Sequence, residues 1–295
     1  MLNSVGNLLI EGHFDADTST VSYLLVDRAT MRGAIIDSVL DFDIRSGRTS
    51  TRSADALIAR VGAIGAKIDW LIETHVHADH LSAAPYLKKQ LGGRIAIGAG
   101  VLTVQQTFGA LFNAGAEFIA DGTQFDVLVH DDARLPFGEL ELRAMHTPGH
   151  TPACMSYVTG DATGMAAFVG DTLFMPDYGS ARCDFPGGDA RTLYRSIRKV
   201  LALPGHTKLY SCHDYPPNGR PVRFVSTVDE QRAHNLHIRD GIDEDAFVAM
   251  RTARDATLAM PALMLPSVQI NMRGGHFPPP ESNGLAYLKI PLNGI

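Results

Sequence analysis

The sequence predicts an α/β fold in which mixed β-sheets are covered by helices. Strand and helix patterns alternate through the first half of the chain, and strand pairs of hairpin type occur in both halves. The composition, with 45% hydrophobic and 20% charged residues among 295, is typical of a globular protein. Hairpins combined with strand–helix alternation indicate a layered arrangement. We expect one domain over residues 1–295, with a C-terminal extension from about residue 218.

The elements of the first half follow from the spacing of apolar residues. Apolar stretches at 21–26 and 34–36 flank a polar connection and predict a strand pair. Apolar residues at helical spacing predict a helix at 53–65 with Ser53 as its cap. The other elements predicted here are a buried strand at 68–72, a helix at 83–91, a strand at 94–97, a helix at 102–111, and strands at 124–129 and 140–146.

In the second half, strands at 155–158 and 165–169 form a predicted hairpin around a turn-rich segment at 159–164. A helical apolar stripe covers 189–203, and a strand follows at 208–212. The composition changes at the Pro-Pro-Asn-Gly turn of 216–219. Beyond it the sequence predicts helices at 228–237 and 244–257 and an irregular tail around the three prolines of 278–280.

Charge and cysteine content restrict the partners and the compartment. A formal net charge of −6 provides no broad basic field for phosphates, which argues against nucleic acid and favours a small-molecule substrate. Cys154, Cys183 and Cys212 are widely spaced and form no CxxC pair, so we expect free thiols in a reducing compartment. No stretch reaches the roughly 20 apolar residues of a membrane span. We therefore expect a cytoplasmic protein without membrane association.

Seven potential metal ligands follow or end predicted strands. In chain order they are His75, His77, Asp79, His80, His150, Asp171 and His213. Imidazole and carboxylate groups suit zinc or iron. Solvation of a polar loop would explain the first four, but it does not explain why three further polar residues repeat the same placement after apolar strands. The pattern therefore predicts a metal site at the strand ends.

This ordered pattern, HxHxDH followed by H, D and H, resembles the metallo-β-lactamase superfamily over about residues 7–275. The resemblance implies a four-layer αββα sandwich, in which two mixed β-sheets are flanked by helices. Three further segments, GSARCDF at 179–185, GGDARTLYRS at 187–196 and HDY at 213–215, resemble the persulfide dioxygenase group of that superfamily.

Persulfide dioxygenases oxidise glutathione persulfide with O2 and water to sulfite and glutathione at a mononuclear non-haem Fe(II). The resemblance implies one Fe(II) per chain, bound by His75, His150 and Asp171. Two histidines and one carboxylate form the ligand set of many non-haem iron oxygenases. The four remaining polar residues of the pattern would orient these ligands by hydrogen bonds. A persulfide dioxygenase is the function that the sequence predicts.

The same residues also fit a glyoxalase II-like thioester hydrolase with two zinc ions per chain. One metal would be held by His75, His77 and His150, the other by Asp79, His80 and His213, with Asp171 as the bridge. A metal-bound hydroxide would then attack the thioester carbonyl. The region after residue 213 lacks a recognisable glutathione-binding helical domain of that family. A non-catalytic metal-binding protein is a third interpretation, which predicts loss of ligands, and none is lost.

Two residues outside the ligand set are predicted to act on the substrate. Arg182 matches the arginine that lies near the glutathione carboxylate in the dioxygenase group, and its planar guanidinium can pair with such a group. Tyr215 could hydrogen-bond the substrate sulfur or a bound water. A structural role has similar weight for each residue. Arg182 would form an ion pair with Asp184, and Tyr215 would pack on the neighbouring prolines.

Two further hypotheses follow from single features. Because Cys183 adjoins Arg182, a cationic neighbour could lower the pKa of its thiol and expose it to oxidation by a persulfide. Edge strands and the C-terminal extension also make a homodimer plausible.

Overall fold

The computed structural model of the protein describes residues 2–161 and 164–294. Its strands are β1 (Leu2–Val5), β2 (Leu8–Asp15), β3 (Thr20–Asp27), β4 (Arg32–Ile36), β5 (Val39–Asp43), β6 (Arg48–Ser50), β7 (Lys67–Glu73), β8 (Leu81–Ser82), β9 (Arg94–Gly98), β10 (Val127–Val129), β11 (Arg134–Phe137), β12 (Leu140–His146), β13 (Met155–Asp161), β14 (Gly164–Gly170), β15 (Lys208–Ser211) and β16 (Val225–Thr227). Its α-helices are α1 (Arg52–Ile64), α2 (Ala84–Leu91), α3 (Val101–Leu111), α4 (Ala190–Val200), α5 (Val228–His234), α6 (Glu244–Asp255) and α7 (Met264–Asn271).

Two large mixed sheets organise these elements. The first has the order β1-β2-β3-β4-β7-β9-β10, antiparallel as far as β4 and parallel from β4 onwards. The second has the order β11-β12-β13-β14-β15-β16, in which β14 and β15 are the parallel pair. A small sheet, β6-β5-β8, completes the set.

Three apolar cores separate four layers. Successive side chains of a strand point to opposite faces of its sheet, so Leu24 of β3 packs under the helices of the first sheet and Leu25 packs between the two sheets. In the same way, Phe168 of β14 lies between the sheets and Val169 packs against α4 and α6. Strands buried on both faces explain the continuous apolar stretches in the sequence. The predicted αββα sandwich is confirmed.

The predicted elements differ from the structure mainly at their ends. Strand β10 begins at Val127, three residues later than predicted, because the amide of Phe125 closes a turn onto the carbonyl of Gly122. Helix α1 is preceded by Thr51, and the predicted cap Ser53 instead binds the carboxylate of Asp41 through its backbone and side chain. Helix α7, the small sheet and strands β1, β2, β11 and β16 were not predicted. Part of the predicted turn at 159–164, residues 162 and 163, lies outside the described residues.

Over the described ranges, none of the helices is both long enough and apolar enough to cross a membrane.

Candidate metal centre

The seven predicted ligands follow strands of both large sheets. The segment 75–80 follows β7, and His150, Asp171 and His213 follow β12, β14 and β15. Since β7 is parallel to both of its neighbours and β14 is parallel to β15, the carboxyl ends of these strands reach the same edge of each sheet. The structure brings all seven side chains together in two groups, and the ligand atoms within each group lie within 4.8 Å of one another.

The first donor group consists of His75, His150 and Asp171, all buried. Asp171 Oδ2 lies 3.8 Å from His75 Nε2 and 3.6 Å from His150 Nε2. These separations exceed hydrogen-bond length and are compatible with three donors around one ion at bonds of about 2.1 Å. His150 Nδ1 donates a 2.6 Å hydrogen bond to the carbonyl of Arg182, which leaves the Nε2 lone pair for a metal.

The second donor group consists of His77, Asp79, His80 and His213. Here Asp79 pairs directly with two imidazoles, at 2.9 Å from His213 Nε2 and 3.2 Å from His80 Nδ1. His80 Nε2 and His77 Nδ1 are buried and have no hydrogen-bond partner among the described residues. Orphaned buried nitrogens of this kind fit a metal ligand, because leaving them unpaired costs free energy. The groups adjoin, since Asp171 Oδ1 lies 3.4 Å from His213 Nε2.

The charge state of the second group follows from its carboxylates. Burial lowers the pKa of His213, but the carboxylates of Asp79 and Asp171 outweigh it and raise that pKa to about 9. Burial raises the pKa of Asp79, yet contact with His213 holds it well below its usual range. Without a metal, the protein alone therefore stabilises Asp79 and His213 as an ion pair.

Two carboxylates that the sequence analysis did not single out hold His77. Its Nε2 lies 2.9 Å from Asp37 and 3.3 Å from Glu73. Asp37 also accepts hydrogen bonds from the backbone and hydroxyl of Thr74, at 2.7 and 2.9 Å, and so fixes the residue that precedes the donor segment. Asp37 directly follows β4, so the rule that placed the other ligands at strand ends could have found it.

Asn271 fixes the donor segment from the opposite end of the chain. Its side-chain amide donates to the carbonyls of His77 and His80, at 2.9 and 2.7 Å, and its oxygen accepts from the backbone of Ser82. Asn271 is the last residue of α7 and is buried. No local sequence signal points to this contact, because it joins residues more than 180 positions apart.

A pocket of about 420 Å³ opens onto both donor groups. Its walls include Asp79, His150 and Asp171, as well as both predicted substrate residues, Arg182 and Tyr215. Aromatic and aliphatic side chains form much of the remaining wall. Among them are Phe174, Tyr178, Phe185, Leu258 and Leu263. This volume suits a small molecule.

The two predicted substrate residues differ in how far other protein groups already bind their polar atoms. Arg182 binds both carboxylate oxygens of Asp184 at 2.7 Å and donates its remaining terminal nitrogen to the carbonyl of Ala259, so these contacts engage its guanidinium. Tyr215 donates to Asp79 at 3.4 Å and stacks on the ring of His213. A residue that the sequence analysis missed, Arg254, is exposed, lines the pocket and has no acidic partner among the described residues.

The hypothesis of a reactive Cys183 is corrected by its surroundings. Burial and the nearby carboxylate of Asp255 raise the pKa of its thiol to about 12. The guanidinium of Arg182 is directed to Asp184 instead of the sulfur. A neutral, buried thiol is a poor nucleophile. The three cysteines are free and buried, as the sequence predicts.

A family model described as the metallo-beta-lactamase superfamily matches residues 17–213, which include most strands of both large sheets and all seven predicted ligands. The chain belongs to this superfamily. With this fold and its buried His/Asp groups, it is a metal-dependent enzyme of the superfamily.

Relatives within the superfamily carry names of two kinds. The chain is 65% identical to a probable metallo-hydrolase of Burkholderia pseudomallei, over 98% of this chain and all of the relative, and 49% identical to glyoxylase B2 of Dictyostelium discoideum, over 96% and 97%. It is 30% identical to the mitochondrial persulfide dioxygenase ETHE1 of Mus musculus, over 93% and 91%. The crystal structure of ETHE1 from Myxococcus xanthus superposes with a TM-score of 0.71 at 28% identity, covering 90% of this chain and 99% of the other.

Proposed function

We propose that this protein is a persulfide dioxygenase that uses one Fe(II) held by His75, His150 and Asp171. The observation that carries the proposal is the contrast in spacing between the donor groups. Asp171 Oδ2 stands 3.6–3.8 Å from the two imidazoles of the first group, whereas Asp79 Oδ2 lies 2.9 Å from His213 Nε2 in the second. Two imidazoles and one carboxylate with further positions open are the set suited to iron and O2 chemistry.

The segment that resembles persulfide dioxygenases is in direct contact with this first group. The Arg182 carbonyl accepts the hydrogen bond of His150, and the ring of Phe185 packs edge-on to that imidazole with ring centres 5.7 Å apart. The guanidinium of Arg182 lies 4.8 Å above the Phe185 ring. Arg182 therefore supports the proposal as a positioning residue, because its contacts hold the segment that orients His150.

In the proposed reaction, glutathione persulfide, O2 and water give glutathione, sulfite and two protons. The terminal sulfur is oxidised, O2 is reduced and the sulfur–sulfur bond breaks. Bound iron would supply the redox chemistry that joins the two substrates. The protein binds and orients: burial keeps the pKa of Tyr215 above its usual range, so its hydroxyl stays a hydrogen-bond donor beside the pocket. The guanidinium of Arg254 lies 5.8 Å from the ring centre of Tyr178, has no acidic partner among the described residues, and would bind a carboxylate of the thiol carrier.

Thioester hydrolysis with two metal ions is a second candidate, and a specific observation favours it. His77 Nδ1 and His80 Nε2 are buried without partners, and a second metal would satisfy both. The hydrolase-type names of the relatives at 65% and 49% identity also favour this candidate over the dioxygenase. In this case Asp171 would bridge the two metals, which the 3.4 Å contact of its second oxygen with His213 allows.

One experiment separates the two candidates. The purified protein is analysed for metal, and oxygen uptake is followed with an electrode during addition of glutathione persulfide, in parallel with a thioester-cleavage assay on S-lactoylglutathione. Oxygen uptake with about one iron per chain supports the dioxygenase. Two zinc ions per chain, with thioester cleavage and no oxygen uptake, would contradict it and establish the hydrolase instead.

A further inference from the structure

A second, much smaller cavity adjoins the first donor group, because His150 lines it. Its volume is about 20 Å³, and it is lined by Val76 of the donor segment, Val104 and Phe108 of α3, and Met264 and Val268 of α7. All five side chains are buried members of the apolar core between the first sheet and its helices. A cavity of this size has room for one small molecule, such as a diatomic gas, and is too small for glutathione persulfide.

This cavity shares a wall with the large substrate pocket. Ala78, His150 and Phe185 line both spaces, so a partition of single residues separates them. Within the donor segment, Val76 and Ala78 line the cavity, and His75, which precedes Val76 in the chain, belongs to the first donor group. The cavity therefore lies directly against the residues that hold the proposed iron.

The polar atoms at the cavity wall are already engaged. The hydroxyl of Thr151 contacts the sulfur of Cys154 at 3.1 Å and accepts from the backbone of Ala153 at 3.3 Å. His150 donates Nδ1 to the Arg182 carbonyl and directs Nε2 towards Asp171. A buried water needs two to four polar partners, whereas apolar cavities without them stay dry and bind apolar molecules such as xenon. The chemistry of this wall thus selects a small apolar gas over water.

We propose that this cavity is a binding site for O2, from which O2 reaches the first donor group past the Ala78–Phe185 partition. The inference rests on the proposed dioxygenase function and names the route of its second substrate. Persulfide enters from the large pocket and O2 from the apolar cavity, so the two substrates reach the first donor group from different cavities.

The test combines xenon binding with kinetics. Crystals of the wild-type protein are pressurised with xenon, and KM values for O2 and for glutathione persulfide are measured separately. Val104→Met places a larger side chain in the cavity, and Val101→Met is the matched control, because Val101 is buried on the same helix and does not line the cavity.

We expect xenon to bind in the wild type and in the control, and to be lost in Val104→Met. Only Val104→Met should show a several-fold rise in KM for O2, and its KM for persulfide should stay unchanged. A milder Val104→Leu variant should give a smaller shift in the same direction.

The outcomes distinguish this inference from the function on which it rests. Wild-type oxygen uptake with an unchanged KM for O2 in a Val104→Met variant that has lost xenon overturns the O2 site and leaves the dioxygenase standing. Absence of xenon from the wild-type cavity, together with an unchanged KM for O2 in Val104→Met, overturns it as well. If the wild type takes up no O2 with persulfide, the proposed function fails, and the O2 assignment fails with it even where xenon binds.

Discussion

The two donor groups use the same residue types in the same buried edge of the fold, yet they differ in how far the protein alone satisfies them. In the second group Asp79 lies between two imidazoles at 2.9 and 3.2 Å. In the first group the carboxylate of Asp171 is 3.6 Å or more from either imidazole. The carboxylate of Asp79 thus has cationic partners without an ion, whereas that of Asp171 is left further from its imidazoles; the second group nevertheless keeps His77 Nδ1 and His80 Nε2 without partners among the described residues. Ligand identity alone does not reveal this difference.

The largest effect is expected from Asp171→Ala. Because Asp171 contacts both groups, its loss removes a donor from the first and a neighbouring carboxylate from the second. We expect activity to fall by at least about 1,000-fold, since metal-ion catalysis contributes several kcal/mol to the barrier. Metal content should be measured on the same preparation. Activity near the wild-type level would mean that neither group is the catalytic centre.

Removal of the metal should lower stability as well as activity. A ligand bound at 100 times its dissociation constant stabilises the folded state by about 2.7 kcal/mol. Chelation should therefore lower the free energy of unfolding by about that amount, as measured by urea denaturation. Readdition of Fe(II) should restore it at one equivalent if only the first group binds. If the free energy of unfolding instead reached its plateau at two equivalents of Fe(II), both groups would bind metal.

Asp79→Asn tests the second group by itself. If its members orient the ligands through hydrogen bonds, we expect a loss of about 10- to 100-fold in activity or metal affinity, the usual effect of residues around a metal site. Metal content should stay at one ion per chain. The amide keeps the size of the side chain, and Asp43→Asn, at the exposed end of β5, serves as a control carboxylate. A fall in metal content from two ions to one would instead show that Asp79 is a ligand.

The smallest effect is expected from Arg254→Met, which touches neither donor group. Loss of a charged hydrogen bond to a carboxylate costs about 1.5 kcal/mol or more, which corresponds to roughly a tenfold rise in KM for glutathione persulfide. The value of kcat and the metal content should not change. Arg223→Met provides the control, because Arg223 pairs with Glu230 outside the pocket. An equal KM in both variants would leave Arg254 without a role in binding.

The sequence predicted the layers and the seven clustered side chains because both depend on local patterns. Strands buried on two faces have distinctive apolar stretches, and His150, Asp171 and His213 directly follow such strands or their turns. Arg254 was missed because its position in the pocket depends on how α6 packs, which periodicity does not fix. The engagement of Arg182 by Asp184 was weighed from sequence, but only the geometry shows that its other terminal nitrogen goes to Ala259.

The hydrogen bonds between Asn271 and the donor segment have a consequence for folding during synthesis. A chain emerges from the ribosome with its N-terminus first. His77 and His80 are therefore synthesised about 190 residues before the amide that fixes their carbonyls. Until α7 docks, the loop lacks that restraint, and its imidazoles are less well organised for any cation. The organisation of the donor segment for a metal is thus coupled to the docking of α7.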